Sequence, residues 1–188
     1  MTQSSTTPRR VRTRTLSQFK ADGRKITMLT SYDALTASIF DQAGIDILLV
    51  GDSAGNVVLG YESTVFTKHS DLVLFTGAVA RATTRPLIIA DLAFGTYQGG
   101  PQDALRHAVE LMQAGAHAVK LEGGREVLPQ ITALVEAGIP VCGHLGFTPQ
   151  SVNQFGGHLV QGRDQVAADH LAEAVSYTHL TLPTKRIV

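Results

Sequence analysis

One phrase recurs along the chain: a helical stretch closes on Ala-Gly, two residues pass, and an aliphatic run begins. Ala43-Gly44 leads into ILLV at Ile47, Ala114-Gly115 into AVKL at Ala118, and Ala137-Gly138 into VCGH at Val141. Glycine just past a helix takes the left-handed cap conformation at low steric cost, after which the chain turns into a strand. The stretches before it carry helix spacing, as in Leu35, Ile39 and Ala43, or Leu105, Val109 and Met112. Pro101 suits the first turn of the latter helix, where its missing N–H does no harm.

Two more apolar runs, ITML at Ile26 and LIIA at Leu87, complete five predicted strands near residues 26, 47, 87, 118 and 141. Near-continuous apolar strands alternating with helices mean an α/β fold, a parallel sheet covered by helices. An open doubly wound sheet and a barrel share this pattern. No Gly-rich phosphate fingerprint follows the first strand, which favours the barrel.

The 188 residues balance 16 basic against 16 acidic side chains, and 44% are hydrophobic. That describes a globular domain with one sizeable core and no dedicated nucleic-acid surface, which would need clustered excess Lys and Arg. No apolar run approaches the ~20 residues of a membrane span. Cys142, the single cysteine, has no internal partner and fits a reducing compartment. The start of the chain has no acid through residue 20 and carries Arg9, Arg10, Arg12 and Arg14. It lacks an amphipathic apolar stripe, so residues 1–13 are expected to be a disordered basic tail rather than a transit peptide, and the protein cytoplasmic.

Polar residues follow every apolar run: Ser31, Tyr32 and Asp33, then Asp52 and Ser53, then Asp91, then Lys120 and Glu122 within the fourth, then His144. In a parallel α/β protein the carboxyl-terminal strand ends share one face, where active sites are built. Period-two alternation puts Lys120 and Glu122 on one side of their strand and Val119 and Leu121 on the other. The apolar pair suits the helix layer, so the charged pair points inward, where it costs several kcal/mol unless paired. Each residue also has a structural explanation: Asp52 and Asp91 as caps, Lys120–Glu122 as an ion pair, His144 as a hydrogen-bonded core histidine. Their convergence on equivalent strand ends favours a site. Two or three carboxylates without a Cys or His cluster make a hard oxygen site, suited to Mg²⁺. With a lysine beside it, such a site suits a 2-oxo acid and metal-assisted enolate chemistry.

The segments TSYDALTASIFDQAGIDILLVGDSAGNVVLGYEST, LIIADLAFGTY, GAHAVKLEGG and PVCGHLGFTPQSVNQFGGHLVQGR resemble the ketopantoate hydroxymethyltransferase family, in register over about residues 14 to 174. Asn56 stands where that family usually has methionine. The resemblance implies a TIM (β/α)8 barrel that transfers a hydroxymethyl group from 5,10-methylenetetrahydrofolate to 3-methyl-2-oxobutanoate, giving 2-dehydropantoate for pantothenate biosynthesis. It implies that Asp52 and Asp91 bind Mg²⁺, with Glu122 joining directly or through water. It also implies that Asp52, Ser53, Asp91, Lys120 and His144 form the oxo-acid site, and that the protein is a cytoplasmic homodecamer.

The family's general base, a glutamate on a later strand, has no counterpart in the matched segments. About five parallel strands are expected, an incomplete barrel over residues 14–175, against eight in a closed one. Residues 176–188, SYTHLTLPTKRIV, break the helical pattern and read as a non-family tail, similar to translated adapter sequence. The chain as written is therefore expected to be C-terminally truncated, with two unpaired edge strands and no useful turnover. The alternatives are a phosphoenolpyruvate mutase or isocitrate lyase-like enzyme, or a non-catalytic metal-binding fragment.

Overall fold

The computed structural model describes residues 9–157 and 159–181, with the backbone alone for 177–181. Five strands, β1 (Met28–Thr30), β2 (Ile47–Val50), β3 (Leu87–Asp91), β4 (Ala118–Glu122) and β5 (Val141–His144), alternate with eight helices. The helices are α1 (Thr13–Ala21), α2 (Ala34–Gln42), α3 (Ala54–Val57), α4 (His69–Arg81), α5 (Pro101–Ala114), α6 (Leu128–Glu136), α7 (Val152–Phe155) and α8 (Gln165–Thr181). All strand pairs are parallel, and the order is β1-β2-β3-β4-β5. A doubly wound sheet reverses direction at a switch point. Here chain order and spatial order run together without reversal, so the five strands form an arc of a (β/α) barrel.

The Ala-Gly phrases do what their sequence implies. Gly44, Gly115 and Gly138 take positive φ values of +80°, +115° and +83° where α2, α5 and α6 give way to strands. Strand alternation then sorts the side chains. Leu48, Val50, Ile88, Ala90, Val119 and Leu121 pack under the helices with Leu72, Val79, Ala108, Leu111, Ile131 and Leu134. Each fully buried Leu, Ile or Val contributes roughly 1.5–3 kcal/mol. The opposite face carries Ile47, Leu87, Ile89 and Ala118, covered by Val11 and with Leu16 of α1 packed against them.

That second cluster corrects the expected tail. Val11 is 2% exposed, its N–H donates to the Arg85 carbonyl at 2.8 Å, and the Arg10 guanidinium donates to the Pro86 and Thr83 carbonyls. Residues 10–13 therefore belong to the fold, because one apolar side chain and one multivalent donor find buried partners on distant strands and loops. Residues 1–8 lie outside the described residues. At the other end α8 runs on through Thr181, six residues into the stretch read as breaking the pattern. Only the apolar period lapses there; no helix breaker precedes Pro183. Residues 182–188 lie outside the description. The first strand also begins at Met28 rather than Ile26, since Thr27 gives its N–H and hydroxyl to the Asp46 carboxylate. β1 and β5 have no second neighbour among the described residues, as expected of an incomplete barrel, and Met28 and Leu29 are 50% and 41% exposed.

Candidate active site

The carboxyl-terminal ends of β2 to β5 carry the polar set. Register pairs Asp91 with Lys120 and Glu122 with His144 across neighbouring strands, so alternation aims all four to the inner face. Asp52 enters from the turn after β2, past Gly51. A Cβ on Gly51 would stand 3.0 Å from Ser53 Oγ and 3.5 Å from Asp91 Oδ2. Its absence lets the Asp52 N–H reach Asp91 Oδ2 at 3.0 Å.

Asp52, Asp91 and Glu122 are all buried. Lys120 Nζ lies 2.7 Å from Asp91 Oδ1 and 3.9 Å from Glu122 Oε1. Lys120 is the one partner of Asp91 Oδ1 among the described residues. His144 Nδ1 donates to Glu122 Oε1 at 3.0 Å. Ser53 Oγ lies 2.8 Å from the Tyr32 hydroxyl. The six candidate metal and oxo-acid residues, Asp52, Ser53, Asp91, Lys120, Glu122 and His144, thus stand at one end of the sheet. The capping explanations fail for two of them. Asp33 does cap the helix that follows it, accepting from Thr36 N at 2.9 Å, whereas the Asp52 carboxylate meets Gln150 and the Asp91 carboxylate meets Lys120 and the Asp52 N–H.

Burial, then the Asp91 charge, pushes the Asp52 carboxyl up to about 6. Burial likewise raises Asp91, and the pull of Lys120 does not offset it. Burial alone would lower Lys120, but the surrounding carboxylates, Asp91 first and then Asp52 and Glu122, together outweigh it and keep the ammonium charged. Three buried carboxylates against one ammonium leave negative charge over. Their oxygen donors fit a hard divalent cation. Among the described residues, no three His, Cys, Asp or Glu side chains are grouped tightly enough to hold a metal alone. A cation here would take its remaining ligands from water or substrate, as Mg²⁺ commonly does.

Two residues that hold these carboxylates escaped the sequence reading. Gln150, buried in the turn after β5, donates from Nε2 to Asp52 Oδ2 at 2.8 Å and to the Leu92 carbonyl at 3.0 Å. Its backbone N–H donates to Glu122 Oε2 at 3.0 Å. Tyr97, also buried, donates from its hydroxyl to Gln150 Oε1 at 2.7 Å. Both lie inside segments that carry the family resemblance, GFTPQS and FGTY; that membership was the available signal. A cavity of about 470 Å³ opens alongside, bounded by Gly124, Leu145, Phe155 and His170, and contains none of the three carboxylates.

A model of the ketopantoate hydroxymethyltransferase family matches residues 10–179. The chain belongs to that family. The 3-methyl-2-oxobutanoate hydroxymethyltransferase of Leifsonia xyli subsp. xyli is 56% identical over 172 residues, covering 91% of this chain and 62% of its own length. The enzyme of the same name from Thermobifida fusca is 57% identical over 164 residues, covering 87% and 59%. The chain thus spans about three-fifths of the length of these curated relatives. Among solved structures, phosphonopyruvate hydrolase complexed with oxalate and Mg²⁺ superposes with a TM-score of 0.65 at 18% identity, over 89% of this chain and 59% of that one. For 2,3-dimethylmalate lyase, a PEP mutase/isocitrate lyase superfamily member, the TM-score is 0.57 at 20% identity, over 87% and 58%. At such identities the likeness is one of fold, and it agrees with the barrel arc.

Proposed function

We propose that this ketopantoate hydroxymethyltransferase chain builds a Mg²⁺ and 2-oxo-acid site for hydroxymethyl transfer from 5,10-methylenetetrahydrofolate to 3-methyl-2-oxobutanoate, giving 2-dehydropantoate. One observation carries the reading: Asp52, Asp91 and Glu122 converge at the strand ends with a single ammonium among them. Asp52 and Asp91 would hold the cation, and Glu122 would join directly or through water. The bound metal would supply Lewis acidity that makes the hydrogen beside the ketone easier to remove.

The chain's own groups do the rest of the positioning. Lys120 has three donors and spends one on Asp91, so it can also meet the substrate carboxylate. Tyr32 steadies the Ser53 hydroxyl for a second contact to the oxo acid. Glu122 fixes the His144 ring through Nδ1, leaving Nε2 for the site. On the same family likeness, the working assembly is a cytoplasmic homodecamer. No helix among the described residues is long and apolar enough to cross a membrane.

Calorimetric titration tests this reading. 3-Methyl-2-oxobutanoate should bind only when Mg²⁺ is present, and Asp91→Asn should abolish that heat. Oxo-acid binding indifferent to Mg²⁺ would sink it. The shared fold of the mutase and lyase relatives keeps their chemistry in view. Against the lyase branch, which would want a reactive cysteine in a flexible loop, Cys142 sits within β5 and burial pushes its thiol up. Folate-dependent product formation by the full-length protein separates the two chemistries.

A further inference from the structure

We propose that Gln150 is a positioning residue that presets the metal-binding carboxylates, with Tyr97 fixing which way its amide points; this rests on the Mg²⁺ reading above. Gln150 touches two of the three carboxylates at once, Asp52 Oδ2 through its side chain and Glu122 Oε2 through its backbone N–H. Asp52 lies 98 positions away along the chain, so the contact ties the turn after β5 to the turn after β2. With Oδ2 engaged, Asp52 Oδ1 is left without a hydrogen-bond partner among the described residues and is free to accept a cation.

The amide has one workable orientation. Its Nε2 faces two acceptors, Asp52 Oδ2 and the Leu92 carbonyl. Its Oε1 faces two donors, the Tyr97 hydroxyl at 2.7 Å and Gln98 Nε2 at 3.3 Å. Rotating the amide by half a turn would set oxygen against a carboxylate and a carbonyl, leaving buried polar groups unpaired. The Tyr97 hydroxyl has one proton and two acceptors in reach, Gln150 Oε1 and the Glu122 carbonyl at 3.1 Å. It donates along the shorter path, while the Glu122 N–H donates to its oxygen at 3.2 Å. Tyr97 therefore locks Gln150, and Gln150 holds Asp52 and Glu122. Glutamine alone among side chains of this length offers both the donors and the acceptor that these neighbours need.

The test uses Mn²⁺ as the probe cation, with free Mn²⁺ read by electron paramagnetic resonance on the full chain, alongside thermal melts without metal. Gln150→Leu and Gln150→Met should weaken Mn²⁺ binding by ~10–100-fold, the range seen when a hydrogen bond behind a metal ligand is lost. Tyr97→Phe, which removes a single oxygen, should weaken it by a smaller factor at a near-native melting temperature. If Gln150→Leu fails to fold, the Gln150→Met and Tyr97→Phe arms decide. Wild-type Mn²⁺ affinity in the folded variants overturns the positioning role and leaves the metal reading standing. Absence of Mn²⁺ binding by the wild type, or binding unchanged by Asp52→Asn and Asp91→Asn, overturns the metal reading and this proposal with it.

Discussion

Lys120 and Asp91 are register partners on adjacent strands, and their charged atoms meet at 2.7 Å with both side chains nearly buried. Removing the lysine strands a carboxylate that burial already disfavours. Lys120→Met should lower unfolding free energy by about 3–5 kcal/mol, seen as a lower urea midpoint. Adding Asp91→Asn removes the stranded charge and should recover part of that loss. Simple additivity of the two losses would show that they do not act as a pair.

His117 supplies a pH dependence. Its Nδ1 accepts from the Ile88 N–H at 3.1 Å, a bond that only the unprotonated ring nitrogen can make. Burial first, then Arg10 and Arg12, lower its pKa from 6.5 to about 4. Between those values the unfolded chain binds more protons, so this contribution is present above 6.5 and is lost as pH falls toward 4. It amounts to at most about 3 kcal/mol. The raised Asp52 runs the other way over about pH 4 to 6, because there the folded state holds the extra proton. Comparing melts of wild type and His117→Gln across pH 4 to 7 isolates the histidine. The variant should show a flatter rise with pH, and parallel curves would reject the assignment.

Gly55 in α3 has no room for a side chain. An added methyl would overlap Thr67 Oγ1 and approach the Tyr61 ring at 3.2 Å. Thr67 Oγ1 donates to the Asp52 carbonyl at 2.8 Å, so the overlap would be relayed to the site. Gly55→Ala should cost about 1–3 kcal/mol and weaken Mg²⁺-dependent oxo-acid binding as well. A stable variant with unchanged binding would show that the turn after β2 absorbs the methyl.

Among the described residues β1 has no neighbour on its outer edge; it exposes Met28 and Leu29, and α2, next along the chain, exposes Leu35 and Ile39. Such an edge invites association with other strands. Light scattering should show concentration-dependent self-association of the chain, reduced by Met28→Lys with Leu29→Lys. Equal scattering from both proteins would place the sticky surface elsewhere.

Much of this architecture is legible without coordinates, for a physical reason. The helix-to-strand turns need glycine at positive φ, and Gly44, Gly115 and Gly138 announce them. The inward face of β4 follows from the two-residue period of a strand, which separates Lys120 and Glu122 from Val119 and Leu121. These are local rules, written in neighbouring residues. Local rules also misled at both ends, where arginines around Val11 looked solvated and the continuation of α8 looked broken.

Asp33 and Asp52 each follow an apolar run, and nothing nearby in the chain says which one caps a helix. Asp33 does, because Thr36 is the donor within its reach; Asp52 meets Gln150 from far along the chain instead. The sequence by itself determined the order of elements, the sheet's sidedness and the candidate carboxylates. Tertiary structure alone decided their partners, since strand register and loop return bring together groups that no local periodicity links.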